Sequence, residues 1–282
     1  MDFPSTGLSE QHNWLGATRG IRKLVDEAQI SALQARDFTI KNEEWEETFE
    51  LTEREITADK FGLLGPRLAL LAADAKYHPD QLMGELMENG FDSTGIDYTG
   101  SQFFDTNKKA FADAKPFTNV GTAKLSSDAY SAAKTNLRGR TNAAGRPLNL
   151  GRDLRLICSA KNEDTGLQIL QAENIFKTSQ NAGDTARAAA AVTNVNKGTA
   201  KLTVWPELDA RGMEDAWFLA DWGAPMKPFI QQTLKPWSYY TLDNPGSEYV
   251  LRFHKFLYQI YKAGNVGYGF PETIYGSDGS AN

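Results

Sequence analysis

Residues 37–59 read DFTIKNEEWEETFELTEREITAD. Trp45, Phe49 and Leu51 stand at odd positions, while Glu44, Glu46, Thr48, Glu50 and Thr52 stand at even ones. That alternation is the period of a β-strand with one apolar and one wet face. The run Phe38-Thr39-Ile40 reads as its antiparallel mate, with the chain reversing near Lys41-Asn42-Glu43. A two-stranded ribbon is marginal in water. Its apolar face therefore needs cover, and nothing nearby in the sequence supplies a core for it.

The stretch is also where the charge lies. It holds nine acids (Asp37, Glu43, Glu44, Glu46, Glu47, Glu50, Glu53, Glu55, Asp59) and two bases (Lys41, Arg54), a balance of -7. The rest of the chain carries 27 acids and 28 bases, so the net charge of -6 resides in the ribbon. A charge run is usually a solvated face, but this one carries Trp45 and Phe49 as well. No basic patch interleaved with aromatics occurs elsewhere, which argues against sequence-reading nucleic-acid binding.

The 282 residues allow one large domain or two modest ones, and a 41% hydrophobic content can fill a substantial core. Mean hydropathy is -0.47, and no apolar run approaches the roughly 20 residues that span a bilayer. The opening MDFPSTGLSEQHNWLG lacks a basic region followed by an apolar one and does not read as a secretory signal. One cysteine, Cys158, permits no intrachain disulfide and predicts folding in a reducing compartment.

Outward from the ribbon, GIRKLVDEAQISALQAR places Ile21, Leu24, Val25 and Ala28 on one helical stripe. Pro66 opens a second helix with an apolar face of Leu68, Leu71, Ala72 and Ala75. His78-Pro79 interrupts that pattern, which resumes through Leu82, Met83 and Leu86 and stops at Asn89-Gly90, so the whole reads as one long helix, kinked or broken at the proline. Ser126 and Ser127 cap a third, with stripe Ala129, Tyr130, Ala133 and Leu137. LRLICSA reads as a buried strand and NEDTGLQILQAENIF as a helix. Residues 177–201 are small and polar, which suggests a surface excursion. KLTVW, DAWFLAD and PFIQQTL read as strands, and 249–275 as aromatic-rich strands around a Gly-rich bend. Helices and strands mix without a βαβ rhythm, which favours α+β.

Candidate chemistry does not assemble. Asp74, His78 and Asp80 read as a polar helix end, not a metal cluster, since no second histidine is near. The Glu pairs around Trp45 share one exposed environment, whereas a glycosidase pair needs two different ones. GNVGYG at 264–269 does not match G-x-G-x-x-G and has no helical pattern after it, so it reads as a strand bend. Cys158 reads as a buried structural thiol. His12, His78 and His254 stand apart with no nucleophile motif beside them. The expectation is no catalytic, cofactor or metal residue.

Several segments, taken in order, resemble the Mu-like phage major head subunits (gpT type). They are Phe38-Thr39-Ile40-Lys41-Asn42 with Trp45-Glu46, Tyr77-His78-Pro79-Asp80-Gln81-Leu82 and Phe103-Phe104-Asp105-Thr106. Gly145-Arg146-Pro147-Leu148 with Leu154–Ala160 follows, then Phe256-Leu257-Tyr258 with Gly267-Tyr268-Gly269-Phe270. The resemblance runs from about residue 14 to 276. Two stretches depart from it: Asn107-Lys108-Lys109 stands where the family often has His-Pro, and residues 182–192 are unusually rich in alanine.

The resemblance implies an α+β, Hong Kong 97 phage-type major capsid fold. Its parts would be an N-terminal arm (1–36), an E-loop (37–59), a peripheral domain with a spine helix (60–115), an axial domain (116–228) and return strands of the peripheral domain (229–282). It implies a structural protein of the virion, assembled in the bacterial host cytoplasm into the hexamers and pentamers of an icosahedral shell. Implied partners are further copies of itself, a scaffold or protease-scaffold protein, a portal protein, a decoration protein and packaged DNA held without sequence specificity, with no membrane. In that fold the E-loop lies over a neighbouring subunit, so Trp45, Phe49, Leu51, Glu46 and Glu50 become the expected intersubunit contact. Two rival readings are an encapsulin-like nanocompartment shell, which shares the fold, and a carbohydrate-active enzyme using the acidic ribbon.

Overall fold

The computed structural model describes residues 1–15, 35–58, 62, 64–109, 115–142, 145–178 and 189–281. The helix expected around Ile21, Leu24, Val25 and Ala28 lies outside them. In chain order the elements are β1 (Asp2–Pro4), β2 (Ser9–Leu15), β3 (Ala35–Lys41), β4 (Glu43–Thr52), α1 (Glu53–Thr57), α2 (Leu64–Asn89), β5 (Val120–Ala123), α3 (Ser127–Arg138) and β6 (Leu154–Cys158). There follow α4 (Glu163–Gln171), β7 (Asn174–Thr178), β8 (Ala189–Thr193), β9 (Lys201–Val204), α5 (Glu207–Ala210), β10 (Trp217–Asp221), β11 (Phe229–Leu242), α6 (Glu248–Phe253), β12 (Lys255–Tyr268) and β13 (Ile274–Ala281). The chain divides into two compact units. One comprises residues 1–12, 37–86 and 229–267, and the other 13–36, 87–228 and 268–282.

In the second unit, WFLAD of β10 is buried at every position. Its apolar part, Trp217–Ala220, needs cover on both faces. β10 is the middle strand of a sheet ordered β5-β13-β10-β6-β9, antiparallel to β13 and β6, with β6–β9 and β13–β5 parallel. Alternate β10 side chains serve opposite faces. Trp217 and Leu219 join Tyr130, Ala133 and Leu137 of α3 and Ile169 and Leu170 of α4 in one core cluster. Phe218 turns the other way, with ring centroids 5.5 Å from Phe104 and 5.7 Å from Phe91. Helix α3 starts where the sequence placed it: Ser126 Oγ accepts the Ala129 N–H at 3.2 Å. Cys158 is fully buried in β6, and burial pushes its thiol up to about 12. Gly166 lets α4 approach the sheet, since a Cβ there would lie 2.7 Å from Leu202 Cδ1. Strands β7 and β8 form an antiparallel pair, so part of the excursion expected at 177–201 is a hairpin. Its residues 179–188 lie outside the described ones.

The first unit holds the sheet β1-β11-β12-β4. Helix α2 is not broken at His78-Pro79: it runs unbroken from Leu64 to Asn89 with Pro79 inside. Pro66 falls in its first turn, where a missing N–H costs nothing. Leu71, Ala75 and Leu82 are buried, and His78 falls on the same stripe at spacings of three and four residues. The Gly-rich stretch is not a bend between strands, because β12 runs straight through it. A Cβ on Gly264 would meet Gln232 O at 2.4 Å, and one on Gly267 would meet Ile40 Cδ1 at 2.4 Å. Both glycines admit close neighbours. Residues 249–253, expected as strand, lie in α6 instead, capped by Ser247.

Candidate assembly surface

The structure corrects the pairing expected for the acidic ribbon. β4 does not fold back on Phe38-Thr39-Ile40. Strand β3 pairs with β2, and β4 lies antiparallel to β12 along its whole length, from Thr52 opposite Lys255 to Glu43 opposite Gly264. The expected reversal point is held straight: Asn42 Nδ2 donates to Ser5 Oγ at 2.7 Å and to Gly7 O at 2.6 Å, and its Oδ1 accepts from Gln232 Nε2 at 2.8 Å. A ten-residue strand finds a longer ladder in β12 than a three-residue run could offer. The ribbon also ends early. Thr52 and Glu55 form a capping box that opens α1, with Thr52 Oγ1 accepting the Glu55 N–H at 3.2 Å and Glu55 Oε2 accepting the Thr52 N–H at 2.8 Å.

The apolar face that lacked a core in the sequence has one within its own unit. Leu51 is 5% exposed. Trp45 is half-buried, donates from Nε1 to Gly264 O at 2.9 Å, and packs its ring 4.6 Å from His78 of α2. His78 in turn meets Trp237 of β11 edge-on at 5.6 Å, and Lys262 lies over that indole at 5.8 Å. Phe49 stacks on Tyr258, its partner across the ladder, at 5.2 Å. A shallow cleft between β4 and α2, lined by Glu47, Phe49, Leu51, Arg67, Leu71 and Asp74, stays open beside them. The reading of His78 as a polar helix end is corrected as well: its Nδ1 is buried with no hydrogen-bond partner among the described residues. Burial, and then the charge of Lys262, hold its imidazole below the usual range. The signal for this box was available in the spacing Leu71, Ala75, His78, Leu82; the proline concealed it.

The wet face stays wet. Glu46 accepts from Thr48 Oγ1 at 2.6 Å and Gln259 Nε2 at 3.0 Å. Glu50 pairs with Lys255 Nζ at 2.6 Å and accepts from Tyr249 O–H at 2.9 Å. These donors hold both carboxyls below the ordinary glutamate range. In the same unit Tyr239 (53%), Leu251 (64%) and Phe253 (55%) expose large apolar surface; Tyr239 stacks on Tyr258 at 6.4 Å, on the Phe49 side of the sheet. β4 is the edge of its sheet, and its charge is what keeps an edge from pairing indiscriminately. Trp45 and Leu51, expected to meet a neighbour, face inward. Phe49 is half-buried, and Glu46 and Glu50 remain outward. Among the described residues no group of His, Cys, Asp or Glu is arranged to hold a metal, and no helix is long and apolar enough to cross a membrane.

This arrangement has counterparts among known proteins. The capsid protein of bacteriophage JBD30 superposes with a TM-score of 0.55 at 17% identity, covering 98% of this chain and 61% of its own. That likeness is one of fold: the chain has the architecture of phage major capsid proteins. The Mu-like prophage FluMu major head subunit of Haemophilus influenzae is 24% identical over 132 residues, 47% of this chain and 42% of the relative. The major capsid protein of Escherichia phage Mu is 28% identical over 101 residues, 36% of this chain and 32% of the relative. The matched stretch is thus less than half the length of either curated relative. A family description, Mu-like prophage major head subunit gpT, matches residues 1–123 and 192–282. With most of the chain matched and a capsid fold beneath it, this protein belongs to the Mu-like prophage major head subunit gpT family.

Proposed function

We propose that the chain is a major capsid subunit whose copies build the icosahedral head around phage DNA. The observation that carries this reading is the capsid architecture extending over 98% of the chain. The role is mechanical: one surface is used repeatedly, and no substrate is turned over. In this reading residues 1–36 are the arm, 37–59 the E-loop, 60–115 and 229–282 the peripheral domain, and 116–228 the axial domain. Glu46, Glu50 and the open edge of Phe49 meet the neighbouring subunit, and the exposed Tyr239, Leu251 and Phe253 add apolar surface in the same unit. Trp45 and Leu51 brace that surface from behind. The shell forms in the host cytoplasm on a scaffold, is joined by a portal, and holds DNA without reading its sequence. The JBD30 capsid is known decorated with minor capsid protein trimers, and a decoration protein fits this head too.

Electron microscopy and sedimentation of the purified protein, alone and co-expressed with a candidate scaffold protein, test the proposal. Capsomers, shells or other closed oligomers are expected. A strictly monomeric protein under both conditions would overturn it.

A further inference from the structure

Asp97 and Lys108 meet away from all solvent. Lys108 Nζ lies 2.8 Å from Asp97 Oδ2, and both side chains are 0% exposed. Lys108 belongs to the Asn107-Lys108-Lys109 stretch that departs from the family pattern. Its backbone is fixed by a two-way pairing with Phe117, at 2.8 and 2.9 Å. Nζ also donates to the carbonyls of Ser101, at 3.4 Å, and Gln102. It lies 5.9 Å from the centre of the Phe103 ring, which stacks on Tyr268 at 4.5 Å. Asp97 Oδ1 accepts from Thr99 N–H at 2.8 Å and Thr99 Oγ1–H at 2.5 Å.

A third ionisable group stands by. Glu272 is 5% exposed. Its Oε1 accepts from the Tyr98 hydroxyl at 2.9 Å, and its Oε2 has no hydrogen-bond partner among the described residues. Its charge acts on both Asp97 and Lys108. Burying a charge pair carries a desolvation penalty on each ion. Here burial raises the Asp97 carboxyl and lowers the Lys108 amine, in each case outweighing their mutual attraction. Both shifts run toward the neutral form of the pair, with the amine and the carboxyl side by side in a dry site. Holding two reactants in this way removes much of the barrier to their condensation.

We propose that Lys108 and Asp97 are joined by an amide bond that the folded chain forms by itself. The Lys108 nitrogen bonds to Asp97 Cγ. Oδ1 carries the developing negative charge, and the two Thr99 donors are already aimed at it. Glu272, which burial pushes up to about 7, acts on the pair by its charge and makes no ion pair with the Lys108 nitrogen. The proton that the nitrogen loses is taken up by the departing Oδ2 hydroxyl. The Cγ–Oδ2 bond breaks and water leaves. Nothing is oxidised or reduced, and the chain becomes lighter by one water. The event happens once per chain and closes the loop from 97 to 108. It does not depend on the shell-building role.

The mass of the purified full-length protein, measured after denaturation, tests this. It should fall one water below that of the sequence. No Lys or Arg lies between Lys76 and Lys108, so trypsin should pass over a coupled Lys108. The expected product is the 77–109 peptide, one water light and closed between Asp97 and Lys108 on fragmentation. A full sequence mass, or a normal 77–108 peptide, overturns the proposal, as does a water loss mapped to other residues. The wild-type mass decides the matter by itself, whatever the variants do. Lys108→Arg, shown folded by circular dichroism, should keep the full mass, and a water loss that survives in it would overturn the assignment to Lys108.

Discussion

Leu51→Ala separates a strand packed in its own subunit from one waiting for a neighbour. Leu51 is 5% exposed on the face of β4 that meets α2. The substitution removes three carbons, about 2.4 kcal/mol at roughly 0.8 kcal/mol per buried carbon. A sealed cavity would add to that and carry the loss toward the upper end of the roughly 2–5 kcal/mol range for such truncations. Here the cleft beside Leu51 opens to solvent past Arg67 and Leu70, so water fills part of the space and the cavity contribution is small. The expected loss is about 2–3 kcal/mol. Urea unfolding of unassembled subunits gives it as the change in midpoint multiplied by the slope. Native-state amide exchange along β4 and β12 should show the same decrease where the ladder opens. Glu46→Gln, on the wet face, should leave the midpoint in place. If Leu51→Ala leaves the isolated subunit as stable as wild type, the apolar face of β4 is not covered from within.

His78 should make stability fall with acidity. Its folded-state pKa lies below the ordinary 6.5, so the unfolded chain binds the proton more readily. Stability is full above pH 6.5 and declines as pH falls from there toward the depressed folded value. The charges involved are the imidazolium and Lys262, with Trp45 and Trp237 as its walls. Urea midpoints from pH 8 to 5 should show a slope that His78→Gln flattens, and an unchanged slope would refute the assignment. Cys158, its thiol pushed up to about 12 by burial, should react with a disulfide reagent only as fast as β6 opens. Complete labelling of the native protein within seconds would contradict the packing described.

How much of this could be read in the sequence follows the distance over which each feature is decided. The cap at Ser126, the stripe Tyr130–Ala133–Leu137, the buried strand at Leu154–Cys158 and the run Trp217–Asp221 are decided within a dozen residues, and all were legible. The alternation of β4 was legible as well, but its partner was not. β12 lies about 200 residues further on, and no local rule selects it over Phe38-Thr39-Ile40. At His78-Pro79 local rules misled, because packing on Trp45 and Trp237 holds together a helix that proline would end in isolation. The glycines of 264–269 suggested a bend, whereas their lack of a side chain makes room for Gln232 and Ile40. The buried meeting of Asp97 and Lys108 left no sequence signal, since both sit in turn-rich stretches and the pairing spans a turn that no local rule predicts.

The β4–β12 ladder also sets a timetable. Thr52 leaves the ribosome about 200 residues before Lys255, its partner. At roughly 5–20 residues per second, a strand bearing Trp45, Phe49 and Leu51 waits on the order of 10–40 s with its backbone unpaired. A bare strand of that pattern would invite aggregation with other nascent chains. The acids that alternate with those residues repel any second copy throughout the interval. On this view the charge concentrated in residues 37–59 serves the newborn chain before it serves the folded one. Neutralising Glu44, Glu46 and Glu50 together should then lower the yield of soluble protein from a translating ribosome more than it lowers the stability of the subunit once made.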